Sequence, residues 1–359
     1  MASRPDSRRR RGYRPARVSP PALVVFGIAV GLAAPECATA QTALNPLPIL
    51  STGSLTREPR LSGYLSARET IRDDTMTFII NRARMTVVAA PASFIAVRLQ
   101  ADFSTLGRTR GDTVPASLIT DAYIQLAPTD TASRLVKTLR PVLLLGQFKA
   151  PFSLEYLTSS TSVITADRSM AADRLAIKRD RGVQGTIRFP QLATLSAALM
   201  DGEGSNRVTN PDGRQMAIGR LTLLPVPWLS VSGKWASQGS DNRWGYDARL
   251  SRGPAVLEGE VIQRDGPASA TTHTDAGAGY VFAAYRIRPW IQPVVKWERL
   301  NETTSGTATS TSSRATWTTF GVNLYAPDDR FRAQFNWVNR DELPVERKGE
   351  FIAQFQALF

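Results

Sequence analysis

From residue 61 onward the chain switches polarity at every second residue, in segments of about ten. The cleanest is 94–103, where Ile95, Val97, Leu99, Ala101 and Phe103 lie on one face and Arg98, Gln100 and Asp102 on the other. A side-chain period of two means a β-strand with one apolar face. The pattern predicts sixteen such strands, at 61–68, 78–89, 94–103, 118–127, 141–149, 181–189, 192–200, 214–224, 228–236, 243–251, 255–263, 276–287, 290–299, 315–325, 330–339 and 350–359. No helical pattern exceeds a few turns. After residue 40 there is no run of ~20 apolar residues that could cross a bilayer as a helix.

The connections carry a second pattern. Those at Pro190, 224–227, 288–289 and 326–329 are tight, whereas 104–117, 150–180, 201–213, 264–275 and 300–314 are longer, polar and rich in Gly, Ser and Thr. Short and long alternate with one exception, 128–140, which is long where a short turn is due. Hairpins that face two different environments are how a transmembrane β-barrel is built, with short periplasmic turns and longer extracellular loops. An even strand count puts both termini on the short-turn side. Sixteen strands with one apolar face would aggregate if left open in water. In lipid that face is solvated, and closure satisfies every backbone N–H and C=O. A barrel of this size is too wide for wall side chains alone to fill, so the expected interior is water and the expected function a channel. Trp228, Trp244, Trp290, Tyr325 and Trp337 fall near segment ends, where a headgroup girdle would put them.

The front of the chain is a targeting segment. Seven arginines precede an apolar run at 22–34, and Ala38-Thr39-Ala40 follows. This reads as a signal peptide over 1–40, cleaved after Ala40, with an irregular periplasmic arm at 41–59 and the barrel at 60–359. The only cysteine, Cys37, lies within the signal, so no disulfide or thiol chemistry is expected afterwards. The full chain carries +13; without residues 1–40 it keeps 37 basic and 29 acidic residues, a charge of +8 that favours anionic partners. The single histidine, His273, is expected in an extracellular loop, no base lies beside a nucleophile, and no Cys/His metal spacing occurs. No enzyme activity, cofactor or nucleic-acid partner is therefore expected. The alternatives left open are an adhesive or structural barrel, or a barrel enzyme.

The last ten residues, Glu350 to Phe359, alternate and end on phenylalanine, which resembles the closing strand of bacterial outer-membrane barrels. That resemblance implies recognition by the outer-membrane barrel assembly machinery. More specific is Gly146-Gln147-Phe148-Lys149-Ala150-Pro151-Phe152-Ser153-Leu154-Glu155, followed by Leu157-Thr158-Ser159-Ser160, a long loop and Arg179-Asp180-Arg181-Gly182-Val183. With Asn81-Arg82-Ala83-Arg84, Gln100-Ala101-Asp102-Phe103 and Asp121-Ala122-Tyr123, in this order, the chain resembles the phosphate-selective porin O and P family. The resemblance implies a sixteen-stranded, homotrimeric outer-membrane porin whose third loop, here 150–180, folds inward and narrows the pore. It also implies rows of Arg and Lys that draw phosphate or polyphosphate through. The matching positions are Arg82, Arg84, Lys149 and Arg181, with Arg168, Arg174, Lys178 and Arg179 on the loop; strand parity adds Arg98, Arg188 and Arg220. The acids Asp102, Asp121, Glu258 and Glu260 among them suggest a lattice of ion pairs rather than a purely basic wall. The expected solutes are small, hydrophilic and anion-leaning.

Overall fold

The computed structural model describes residues 58–105, 109–110, 114–115, 118–128, 132–207, 209–269, 271–306, 309–344 and 349–359. The expected signal segment and residues 41–57 of the arm lie outside them. The strands in chain order are β1 (Arg60–Arg72), β2 (Thr75–Ala92), β3 (Ile95–Asp102), β4 (Thr109–Arg110), β5 (Val114–Pro115), β6 (Ile119–Leu126), β7 (Val142–Lys149), β8 (Arg179–Phe189) and β9 (Ala193–Met200). They continue as β10 (Met216–Val226), β11 (Leu229–Gln238), β12 (Asp241–Arg252), β13 (Ala255–Pro267), β14 (His273–Tyr285), β15 (Ile291–Ser305), β16 (Ser310–Tyr325), β17 (Phe331–Leu343) and β18 (Glu350–Leu358). All but β4 and β5, a small ribbon between β3 and β6, form one closed antiparallel barrel of sixteen strands. Each barrel strand overlaps one of the sixteen segments expected from alternation.

Alternation sorts the side chains as lipid outside and a polar interior require. Val295, Phe320 and Trp337 stand opposite one another across β15, β16 and β17, all pointing outward and exposed. On β13 the inward set Glu258, Glu260 and Ile262 is buried. The barrel closes between β1 and β18, where Tyr64 pairs with Leu358 and Arg72 with Glu350. The Gly63 N–H donates to the Phe359 carbonyl at 2.9 Å, and the Phe359 N–H returns the bond at 3.0 Å. A Cβ on Gly63 would lie 2.5 Å from the Phe359 ring, so the terminal ring seats on a position that only glycine leaves open.

Several expectations change. The strands run further than alternation suggests, so loops 264–275 and 300–314 shrink to connections of five and four residues, 268–272 and 306–309. His273, expected in a loop, opens β14. The long-loop rim also contains two-residue turns at 73–74 and 239–240, so the length alternation is not strict. Trp244, Trp290 and Trp337 are exposed as a girdle requires, but the Tyr325 hydroxyl donates to Gln292 Oε1 at 2.7 Å on the inner side.

The interior is not uniformly wet. Connection 150–178 enters the barrel and makes two short helical turns, Leu154–Leu157 and Ala171–Leu175. Phe148, Phe152, Met170 and Leu175 bury themselves against the inward faces of β13 and β14, among Ile262, Tyr280 and Phe282. Phe148, Phe152 and Leu154 have no exposed surface. One side of the lumen is thus packed like the core of a soluble protein. A cavity remains between the loop and β2, β16, β17 and β18.

Candidate functional site

The loop leaves β7 through Gly146, whose φ of +129° suits glycine alone; a Cβ there would meet the Ala122 carbonyl at 2.3 Å. The wall then takes hold of it. Glu260 accepts hydrogen bonds from the N–H of Leu154 (3.0 Å) and Glu155 (3.4 Å) and from the Ser153 hydroxyl (2.9 Å), so a carboxylate on β13 faces the start of the first helical turn. Glu298 on β15 accepts from the Met170 N–H at 2.6 Å, and Asn336 on β17 accepts from the Ala166 N–H at 2.7 Å. Lys296 donates to the Asp167 carbonyl at 3.2 Å. Within the loop, Glu155 accepts from both the N–H (2.7 Å) and the hydroxyl (2.6 Å) of Ser169. Burial holds the Glu155 carboxyl above the usual carboxylate range, against the pull of Lys296 and the two Ser169 bonds.

Behind this seat runs a ladder of ion pairs. Arg220 reaches Asp247 at 2.7 Å, Lys234 reaches Asp247 at 2.9 Å, and Lys234 also pairs with Glu260. Arg220 donates in addition to the Phe152 carbonyl at 2.5 Å, tying the ladder to the loop. Beside it on β12 and β13, Arg249 pairs with Glu258 (3.2 Å); among β2, β3, β6 and β8, Arg84 pairs with Asp102 (2.7 Å) and Asp121 bridges Arg98 (3.2 Å) and Arg179 (2.6 Å). The acids that interrupt the basic rows are therefore their partners.

Between the loop and the inner faces of β2, β16, β17 and β18 lies a cavity of about 450 Å³. Arg82, Arg168, Arg174, Lys178 and Arg340 contribute positive charge to its lining, against Asp167 and Asp173, with Tyr156 and Trp317 as its aromatic surfaces. Of the eleven candidate cations, four thus meet at one space: Arg82, Arg168, Arg174 and Lys178. Arg82 and Arg174 form no hydrogen bond or ion pair with a described residue. Arg168 donates to the carbonyls of Glu155 and Thr158, and Lys178 pairs with Asp173 at 2.8 Å.

The other seven sit elsewhere. Arg84, Arg98, Arg179 and Arg220 are held in the ion pairs above. Lys149 points back into the loop and donates to the carbonyls of Leu157 (3.0 Å) and Thr158 (3.1 Å). Arg181 pairs with Asp201 at 2.8 Å, and Arg188 lies near the rim of short turns. The reason is electrostatic: a guanidinium in a narrow lumen is most stable against a carboxylate or carbonyl, and most of these have one within reach.

Arg340 was missed. It faces the cavity from β17, pairs with Glu350, and lies over the Trp317 ring at 4.2 Å. The parity that turns Arg332, Gln334 and Asn336 inward extends to it once β17 is continued past Asn339. Arg68, at the end of the expected first strand, was also missed; it donates to Asp167 at 2.6 Å and so links β1 to the loop.

Comparison with known proteins agrees with this architecture. No curated protein matches the chain by sequence. Among solved structures, a loop-deletion mutant of OmpT, an outer-membrane protein of Vibrio cholerae, aligns with a TM-score of 0.60 at 11% identity, covering 84% of this chain and 99% of that one. The outer-membrane channel DcaP of Acinetobacter baumannii aligns at 0.58 and 12% identity, over 84% and 97% of the two chains. An anion-selective porin from Comamonas acidovorans aligns at 0.57 and 13% identity, over 84% and 99%. At these identities the likeness concerns the fold. The family model described as phosphate-selective porin O and P matches residues 62–221, a span that runs from β1 into β10, eight of the sixteen barrel strands, and includes the whole inserted loop. Family and fold together point to an outer-membrane channel rather than an enzyme, and over residues 62–221 the chain matches the phosphate-selective porin O and P family.

Proposed function

We propose that the protein is a passive diffusion channel for small hydrophilic solutes that favours anions, with phosphate and polyphosphate as the solutes best matched to its constriction. The observation that carries this reading is the cavity beside the loop, where Arg82 and Arg174 face open space without a partner among the described residues. Fixed positive charge at a constriction raises the local concentration of anions and lowers that of cations. The mixed lattice around it keeps the remaining charges neutralised, so selectivity rests on a few groups. The working unit is a homotrimer, exported with cleavage after Ala40 and recognised through its Phe359 strand by the barrel assembly machinery.

Purified protein in planar bilayers should conduct, with a reversal potential in a salt gradient that marks anion preference. Added phosphate should reduce the chloride current. A folded, heat-modifiable barrel that never conducts rules out the channel. Cation preference rules out the anion reading while leaving the channel in place.

A further inference from the structure

Connection 127–141 departs from its rim, where the other six connections are two to five residues long, and conduction gives it no role. It carries the helix Arg134–Leu139, started by Ser133, whose hydroxyl accepts from the Val136 N–H at 3.5 Å. Arg140 ends it in the left-handed region at φ 42°, its N–H donating to the Val136 carbonyl at 2.8 Å. Arg134, Lys137 and Arg140 recur at every third position and are all exposed. Leu135 is 67% exposed, an unusual cost for a leucine facing only water. The helix packs against β8, whose end supplies Arg188 and the exposed Phe189, with exposed Leu192 in the turn that follows. None of these four cations forms an ion pair with a described residue; Asp130, the one acid in the connection, lies outside the described residues. Elsewhere on the same rim most cations are matched: Arg286 pairs with Asp329 at 2.9 Å, Arg330 with Asp328 at 3.7 Å, and Arg252 lies over the Trp228 ring at 5.4 Å, while Arg288 stands alone rather than in a cluster.

We propose that this helix is an interfacial anchor which binds the phosphate headgroups of anionic phospholipids in the leaflet at the short-turn rim. Leu135, Phe189 and Leu192 enter the acyl boundary, while Arg134, Lys137, Arg140 and Arg188 meet the headgroups. Unmatched cations beside unmatched apolar side chains are stable where water and hydrocarbon meet and the surface is negative. Lipid phosphate supplies the missing counter-charge.

The test uses the full chain refolded into phosphatidylcholine vesicles with or without an equal share of phosphatidylglycerol, comparing wild type with R134Q/K137Q/R140Q. Retention of phosphatidylglycerol, read by native mass spectrometry after extraction, should fall on the order of a hundredfold in the triple variant, since each cation near a charged surface counts for about a factor of five. Heat-modifiability, which reports the folded barrel, and single-channel conductance should match wild type. Equal retention by both proteins overturns the proposal. So does displacement of the lipid by inorganic phosphate as readily as by soluble phosphatidylglycerol, which would make this a free-anion site. Co-sedimentation of wild type but not the variant with purified peptidoglycan, with lipid retention unchanged, overturns it in favour of the cell wall.

Discussion

Arg82 and Arg174 differ from the other basic side chains of the lumen in what surrounds them, not in charge. A guanidinium already bonded to Asp102 or Asp121 must break that bond to serve a passing anion; one that faces the cavity alone need not. Arg82→Gln or Arg174→Gln should therefore weaken phosphate block by about tenfold, the loss expected for one charge-assisted hydrogen bond of ~1.5 kcal/mol. Arg98→Gln should change it much less, and current–voltage curves at several phosphate concentrations separate the two cases. Glu155 makes a different kind of prediction. Its folded pKa is raised, so its contribution to loop seating is present below its unfolded value and is lost as pH rises through the folded one. Amide protection in the loop, corrected for the intrinsic exchange rate, should decline with rising pH above the ordinary carboxylate range. Glu155→Gln should remove that slope. The family motif singled out Arg82, and residue type and strand parity tell which side chains turn inward. They could not tell which inward cation is already occupied, because Arg179 on β8 meets Asp121 on β6 only across the intervening β7.

At the scale of elements, the inserted loop and the closing seam behave differently. The loop is held mainly by side chains of the distant wall, and Glu260 alone receives three of its hydrogen bonds. Glu260→Ala removes these and leaves Lys234 with only Asp247, at a cost of about 3 kcal/mol to loop seating. Trypsin should then cut after Arg168 or Arg174 in the refolded protein, and single-channel conductance should rise as the loop leaves the lumen. Resistance to trypsin equal to wild type would show that the apolar contacts alone hold it. The seam depends on shape. Gly63→Val places a side chain where the Phe359 ring sits, and deletion of Phe359 removes two backbone hydrogen bonds. Both should lower the yield of heat-modifiable barrel while the molecules that do insert conduct normally. All sixteen strands were legible because a membrane barrel writes its inside and outside into alternate residues. Their ends were not, since beyond the apolar band both faces meet water and the alternation fades, as it does around Asp265, Thr304 and Asp341.

For the whole molecule, an interior packed on one side with a cavity beside the loop replaces the open tube that strand number alone suggests. In the sequence Phe148 ends a strand and Phe152 opens a loop, both within the family motif, and nothing local says that they will be buried in one cluster with Ile262 and Tyr280. The cavity is correspondingly eccentric, bounded by β2 and β16 to β18 on one side and by the loop on the other.

The way the loop is held also has a meaning for assembly. It is encoded between β7 and β8, yet its acceptors Glu260, Glu298 and Asn336 arrive 106, 128 and 170 residues after the groups they bind. Contacts so distant in sequence form late. A sheet that has not yet reached β13, β15 and β17 has no seat for the loop, so the loop is docked only as the wall itself is finished, and a half-built barrel carries it as a loose thread.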